Sequence, residues 1–180
     1  MYTLKTTHKK ILADTITPVS VYLKIRDKFP NSLLLESSDY HASDNSFSYV
    51  CCNPIASIKV ENETLTREFP DGTSDVTPIT ATTDVPSLIH AFSQLFETDE
   101  NDFKFINSVL FGYIAYDAVR YFESVEISKK EQSLDIPDMY YAIYQNIIAF
   151  NHFKNEAYIF SHCYEKEDNI KLENSIPIPG

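Results

Sequence analysis

The sequence predicts an α+β fold, with mainly antiparallel sheets and helices packed on their outside. Three observations lead there. Apolar residues switch between strand alternation and helical spacing along the chain, without the strand–helix–strand rhythm that builds a parallel sheet. The 180 residues include twelve Tyr and twelve Phe against three Gly, which suits aromatic-packed sheets and leaves no glycine loop to cradle a phosphate. Hydrophobic residues make up 43% of the chain, enough to build one good-sized core and to exclude wholesale disorder.

Residues 3–14 alternate and read as a first strand. "TPVSVYLKIRDKF" reads as a helix. Thr17 is its N-cap, Pro18 sits where a missing N–H costs nothing, and Pro18, Tyr22, Ile25 and Phe29 fall on one stripe. Pro30-Asn31-Ser32 ends it, and Leu33–Glu36 is the next strand. A polar loop follows, then an apolar strand Phe47–Cys52 that Asn53-Pro54 breaks. "ASIKVENETLTREF" is a hairpin turning at Asn62-Glu63. Residues 70–84 are a surface loop with room for one short strand. "DVPSLIHAFSQLF" is a second amphipathic helix, with Leu88, Phe92 and Leu95 on one stripe. Residues 97–102 are an acidic connector. "NSVLFGYIAYDAVRYFE" starts as a buried strand and turns into a short helix capped by Asp117. Residues 124–136 are a charged loop. "MYYAIYQNIIAFNHFKNEAYIFSHCY" is two long strands joined near Lys154-Asn155, and the tail begins a linker or helix.

Charge and cysteines narrow the function. A formal net charge of −11 argues against a nucleic-acid partner, which needs a basic face. Cys51, Cys52 and Cys163 are odd in number, and two are adjacent, so they predict buried, unreactive thiols in a reducing cytoplasm rather than disulfides. No cysteine or histidine pair has zinc spacing. No apolar run is long enough to span a membrane, and the N-terminus has no signal core. His152 and His162 flank the last hairpin, as a cross-strand pair before a ligand pair. The acidic runs at 98–102 and 165–168 read as solvated surface.

Two stretches carry more information. In "LLLES" a carboxylate, Glu36, and a small hydroxyl, Ser37, arrive where a strand is still near the core. A carboxylate there needs a cation or donors. Two readings stay open: an ion pair within the domain, or the ammonium of an amino-acid ligand. Ser37 lets a ligand come close to the backbone and offers one donor and one acceptor. In "GYIAYDAVRYFE", Gly112 fits close backbone approach within a strand. Asp117 and Arg120 are three apart and so pair on one face, which reads first as a structural corner.

Taken together, the sequence resembles the N-terminal region of anthranilate synthase component I, the large chorismate-using subunit of tryptophan biosynthesis. "LLLES" is similar to that family's tryptophan-binding strand, "FSYVCCNPIASI" to the strand after it, "GYIAYDAVRYFE" to its Gly-Tyr-x-x-Tyr-Asp-x-x-Arg-Tyr-x-Glu signature, and "IPDMYYAIYQNIIAFNH" to its Pro-Asp-Met strand. All four occur in the family's order. Two positions depart from the pattern: Ser46-Phe47-Ser48 stands where the family often has Arg-Tyr-Ser, and Cys51 where it often has Gly.

The resemblance implies a sandwich of mainly antiparallel sheets, shared between two lobes. It implies that residues 1–165 form a tryptophan-binding regulatory lobe and that 166–180 start a linker to a chorismate-binding catalytic domain, absent here, which would leave this chain inactive alone. Carried over, Glu36 is the countercharge for the ligand ammonium, Ser37 a close polar wall, Leu35 the support of the corner and Phe47 an aromatic or backbone contact. No catalytic residue falls in the chain. The whole enzyme is expected to convert chorismate and ammonia, delivered by a glutaminase subunit, to anthranilate and pyruvate, with magnesium as cofactor and tryptophan as feedback inhibitor. An isolated lobe is expected to dimerise through its exposed apolar face. The alternatives are the related large subunit of aminodeoxychorismate synthase, in folate biosynthesis, and a free-standing amino-acid-binding module.

Overall fold

A computed structural model describes residues 1–36, 46–98, 103, 110–123 and 136–166. Among them are nine strands, two α-helices and one 3₁₀ helix, so the described residues are mostly strand with few helices. The chain divides into two compact units. The first comprises residues 1–54, 97–107 and 144–180, and the second residues 55–96 and 108–143.

In the first unit, β1 (Tyr2–Leu12) pairs antiparallel with β9 (Glu156–Lys166) along its whole length, from Tyr2↔Lys166 to Leu12↔Glu156. The second half of β8 (Met139–Asn151) pairs antiparallel with β9 on its other side, from Asn146↔Ser161 to Asn151↔Glu156. Asn155 closes that hairpin with a φ of 51°, a left-handed conformation that Asn tolerates well. Helix α1 (Pro18–Ile25) begins in a full capping box. Thr17 Oγ1 accepts from the Ser20 amide at 3.1 Å, and Ser20 Oγ accepts from the Thr17 amide at 3.3 Å. Its inner stripe of Val21, Tyr22 and Ile25 packs, with Leu34 and Ile11, on a core of Val50, Phe150 and Ala157. The helix stops at Ile25, four residues before the expected end. Pro30 disfavours a helical Phe29, so the chain turns instead, with Asn31 at φ 59°. Strand β2 (Leu33–Leu35) then pairs antiparallel with Tyr49–Cys51.

Strand β3 (Phe47–Glu61) corrects one expectation. Asn53-Pro54 does not break it; the strand runs unbroken for 15 residues. Asn53 absorbs the strain in a single left-handed residue, φ 59°, and its side-chain amide donates to Gln145. A residue that tolerates αL re-aims a strand where most others would end it.

In the second unit, β3 turns through Asn62 and Glu63, both at positive φ, into β4 (Thr64–Glu68). Two consecutive positive φ angles are what a tight two-residue hairpin demands. β4 pairs with β5 (Ser74–Pro78), the short strand allowed for in the 70–84 loop. Arg67 donates to both Asp75 carboxylate oxygens at 2.8 Å across that pair. Helix α2 (Val85–Ser93) is capped by Asp84, which accepts from the Ser87 amide at 3.1 Å. It buries Val85 and Phe92, the latter against Phe69 and Phe96. The connector expected from residue 97 instead opens in strand, as β6 (Phe96–Thr98). β7 (Phe111–Ile114) pairs antiparallel with Met139–Ala142. The loop expected at 124–136 and the linker expected from 166 lie almost wholly outside the described residues; residue 166 itself ends β9.

Candidate ligand-binding corner

The site expected from the sequence sits in the first unit, where β2 ends and β3 begins. Leu33–Leu35 form a short apolar run, and each meets a β3 residue: Leu33↔Cys51, Leu34↔Val50, Leu35↔Tyr49. Residues directly opposite share a face, so Leu34 joins the Val50 core beneath α1 while Leu35 lies on the opposite face with Tyr49. Phe47 stacks on Tyr49, two residues along, with ring centroids 6.3 Å apart and planes at 25°. Leu35, Tyr49 and Phe47 are all half-buried. Burial pushes the Tyr49 phenol above its ordinary value, with the adjacent Cys51 adding to the shift. The corner therefore offers an aromatic, partly open wall.

Glu36 is the first residue past the last pair, at the level of Ser48 in the register. The structure corrects the premise that its carboxylate lies at a buried edge: Glu36 is exposed. Among the described residues Glu36 makes no ion pair. Ser37 lies outside the described residues.

The start of β3 is held from another direction. His152, in the turn after β8, shares a 2.7 Å hydrogen bond with Ser48 Oγ through its Nε2 and donates its backbone amide to the Ser46 carbonyl at 3.1 Å. Ser48 is only 1% exposed, so its hydroxyl needs such a partner. The expected His152–His162 pairing is absent: His162 is buried in β9, and its Nδ1 shares a 2.9 Å hydrogen bond with Thr6 Oγ1. One histidine is in the turn and the other in the strand, so the hairpin separates them. Sequence reasoning missed the His152 contact. Its only sequence signal is a histidine directly after a long strand.

The second signature stretch forms a structural corner in the other unit. A Cβ on Gly112 would lie 1.9 Å from the Tyr140 carbonyl oxygen, so only glycine fits between β7 and β8. The 3₁₀ helix (Tyr116–Tyr121) is not capped by Asp117; Ala115 is the N-cap, without a side-chain bond. Nor do the Asp117 and Arg120 side chains form the expected pair. Arg120 Nη1 donates to the Asp117 backbone carbonyl at 3.0 Å, and Nη2 donates to the carboxylate of Asp138 at 2.7 Å. The Tyr121 hydroxyl donates to the same carboxylate at 3.0 Å. Burial, helped by that bond, pushes the Tyr121 phenol up. Asp138 is the acid of the "IPDMYY" segment, so two of the quoted motifs meet in one ion pair. Cys51 and Cys52 are buried, and burial raises both thiols above their ordinary value, whereas Cys163, expected to be buried, is exposed.

A family model described as chorismate binding enzyme matches residues 31–177. The chain belongs to the chorismate binding enzyme family. Among its relatives is anthranilate synthase component 1 of Lactococcus lactis, 32% identical over 93% of this chain and 35% of the relative. Anthranilate synthase component 1 of Thermus thermophilus is 30% identical over 89% of the chain and 32% of the relative. Aminodeoxychorismate synthase component 1 of Bacillus subtilis is 23% identical over 86% of the chain and 31% of the relative. The chain thus spans about a third of the length of the curated relatives it matches. Among the described residues of this chorismate-binding-family chain, no group of three or more His, Cys, Asp or Glu side chains is placed to hold a metal ion. The magnesium expected for the whole enzyme has no ligand set there. No described helix is long and apolar enough to cross a membrane.

Proposed function

We propose that this chain is the N-terminal regulatory lobe of an anthranilate synthase component I. In that reading the whole protein converts chorismate and ammonia to anthranilate and pyruvate, a glutamine amidotransferase subunit supplies the ammonia, and tryptophan inhibits from a site to which this lobe contributes. Two relatives bearing that enzyme's name, each matched over most of the chain, support the reading. So does the corner itself. The observation that supports it is the Leu35↔Tyr49 pairing, the last before Glu36, together with the half-buried stack of Phe47 on Tyr49.

Each side chain has a role in this reading. An unpaired carboxylate at position 36 attracts an ammonium group. Stacked aromatic rings accept an indole by edge or face contact within their apolar area. Leu35 fixes the wall, and Ser37 leaves room for the ligand backbone. The rest of the pocket, the chorismate site and the magnesium ligands belong to the remaining two thirds of the protein, and the family's sandwich is completed there. This stretch alone turns over no chorismate. Tryptophan favours the state that binds chorismate poorly, with a coupling of about 1–3 kcal/mol, and chorismate weakens tryptophan by the same factor.

A second reading, aminodeoxychorismate synthase, is favoured by the Bacillus subtilis relative. One assay separates them: full-length protein with chorismate, ammonia and magnesium. Release of anthranilate and pyruvate, suppressed by added tryptophan, is the expected result. Aminodeoxychorismate as product overturns it.

A further inference from the structure

We propose that His152 is a positioning residue for the amino-acid site, holding the start of β3 in the place where the ligand needs it. This rests on the tryptophan reading above. Phe47 and Ser48 lie beyond the last β2–β3 pair, Leu35↔Tyr49. Two hydrogen bonds from the single residue His152 reach this stretch, one from the ring to Ser48 Oγ at 2.7 Å and one from the backbone amide to the Ser46 carbonyl at 3.1 Å. They bracket Phe47, which stands between the two held residues and stacks on Tyr49. Ser48 is also the β3 residue at whose level Glu36 leaves β2. The backbone between the proposed aromatic contact and the proposed countercharge lies in β3, beside its neighbour β8 in the sheet, and the His152 ring adds a side-chain bond at the end of that pairing.

The chemistry suits a latch. The Ser48 hydroxyl is buried and takes the imidazole of His152, an exposed turn residue, as its hydrogen-bond partner. Either ring tautomer serves, because a hydroxyl both donates and accepts. Loss of the ring leaves the buried hydroxyl without that partner and loosens the Ser48 side of the stretch, while the backbone bond from residue 152 to the Ser46 carbonyl stays. A ligand that relies on a preorganised wall then has to order it on binding, and it binds more weakly. Turnover does not use this wall, so it is unaffected.

The test uses the full-length protein, ammonia-dependent turnover and tryptophan as the probe. His152→Ala raises the tryptophan inhibition constant tenfold or more, while kcat and the KM for chorismate stay within twofold. His152→Gln, whose amide reaches the Ser48 hydroxyl, restores inhibition to within threefold of the unsubstituted protein. Ser48→Ala weakens inhibition as His152→Ala does, and the double substitution adds nothing, because the two side chains act as one unit. Should His152→Ala fail to fold, Ser48→Ala alone, which removes one hydroxyl, carries the same prediction. Inhibition unchanged in both single variants overturns the proposal and leaves the tryptophan reading intact. So does a matching fall in turnover, or additive effects in the double variant. An unsubstituted protein that makes anthranilate and ignores tryptophan overturns both.

Discussion

Gly112→Ala is the sharpest test of the strand packing. The added methyl would sit 1.9 Å from the Tyr140 carbonyl oxygen and 2.7 Å from the Tyr141 Cα, both rigid backbone atoms. Relief to even a tight 3.0 Å contact requires β7 to move more than about 1 Å away from β8, which the Phe111↔Ala142 to Ile114↔Met139 ladder opposes. Overpacking of this kind costs about 1–3 kcal/mol. Loss of one or two ladder hydrogen bonds adds about 1 kcal/mol each. The sum is about 2–5 kcal/mol, a fall in Tm of about 4–20 °C for a chain of this size. Urea unfolding followed by circular dichroism measures it. A destabilisation below about 0.5 kcal/mol, the range of an ordinary surface substitution, refutes the packing argument.

Three further outcomes follow from the same structure. Asp138→Asn removes the partner of Arg120, whose side chain is 32% exposed against 5% for Asp138; the loss is about 2–3 kcal/mol, below the full cost of breaking a buried pair because water reaches the guanidinium, and urea unfolding detects it. Iodoacetamide at neutral pH alkylates Cys163 and spares Cys51 and Cys52, because burial both shields those thiols and raises them; mass spectrometry after a brief native pulse checks the order. Lys10 and Glu156 lie 2.6 Å apart, with Glu156 held below its ordinary 4.5 chiefly by its hydrogen bond to Lys10, and Lys10 held above its ordinary 10.5 chiefly by the same bond. The carboxylate's contribution is present above pH 4.5 and lost as pH falls through its lower folded midpoint, while the ammonium's is present below pH 10.5 and lost as pH rises through its higher one. The stability gap between the protein and Lys10→Met should therefore vanish at both extremes, as unfolding at a series of pH values will show.

Local signals in the sequence were strong where one residue type had one physical use. Thr17-Pro18 capped α1, Asn62-Glu63 turned a hairpin, and Gly112 marked a close approach, because in each case the chain itself imposes the conformation. Asn53-Pro54 misled, since a proline reads as a stop whereas the asparagine before it took up the strain in a left-handed residue. Partners distant in sequence were harder to see. Arg120 has a carboxylate three residues away in Asp117, yet it pairs with Asp138, 18 residues on, which only the β7–β8 pairing brings near. The Ser48–His152 bond spans 104 residues, and nothing near Ser48 in the sequence points to it. At the corner itself, the strand Leu33–Leu35 was legible from its apolar run, while the exposure of Glu36 was not, because it depends on where β2 pairing stops.

The most direct measurement is tryptophan binding by equilibrium dialysis to the full-length protein and its Glu36→Gln and Ser37→Arg variants, with ammonia-dependent anthranilate formation as the control. The account predicts at least tenfold weaker binding for Glu36→Gln, no detectable inhibition for Ser37→Arg and turnover largely retained in both. Unaltered tryptophan affinity in the two variants would contradict it.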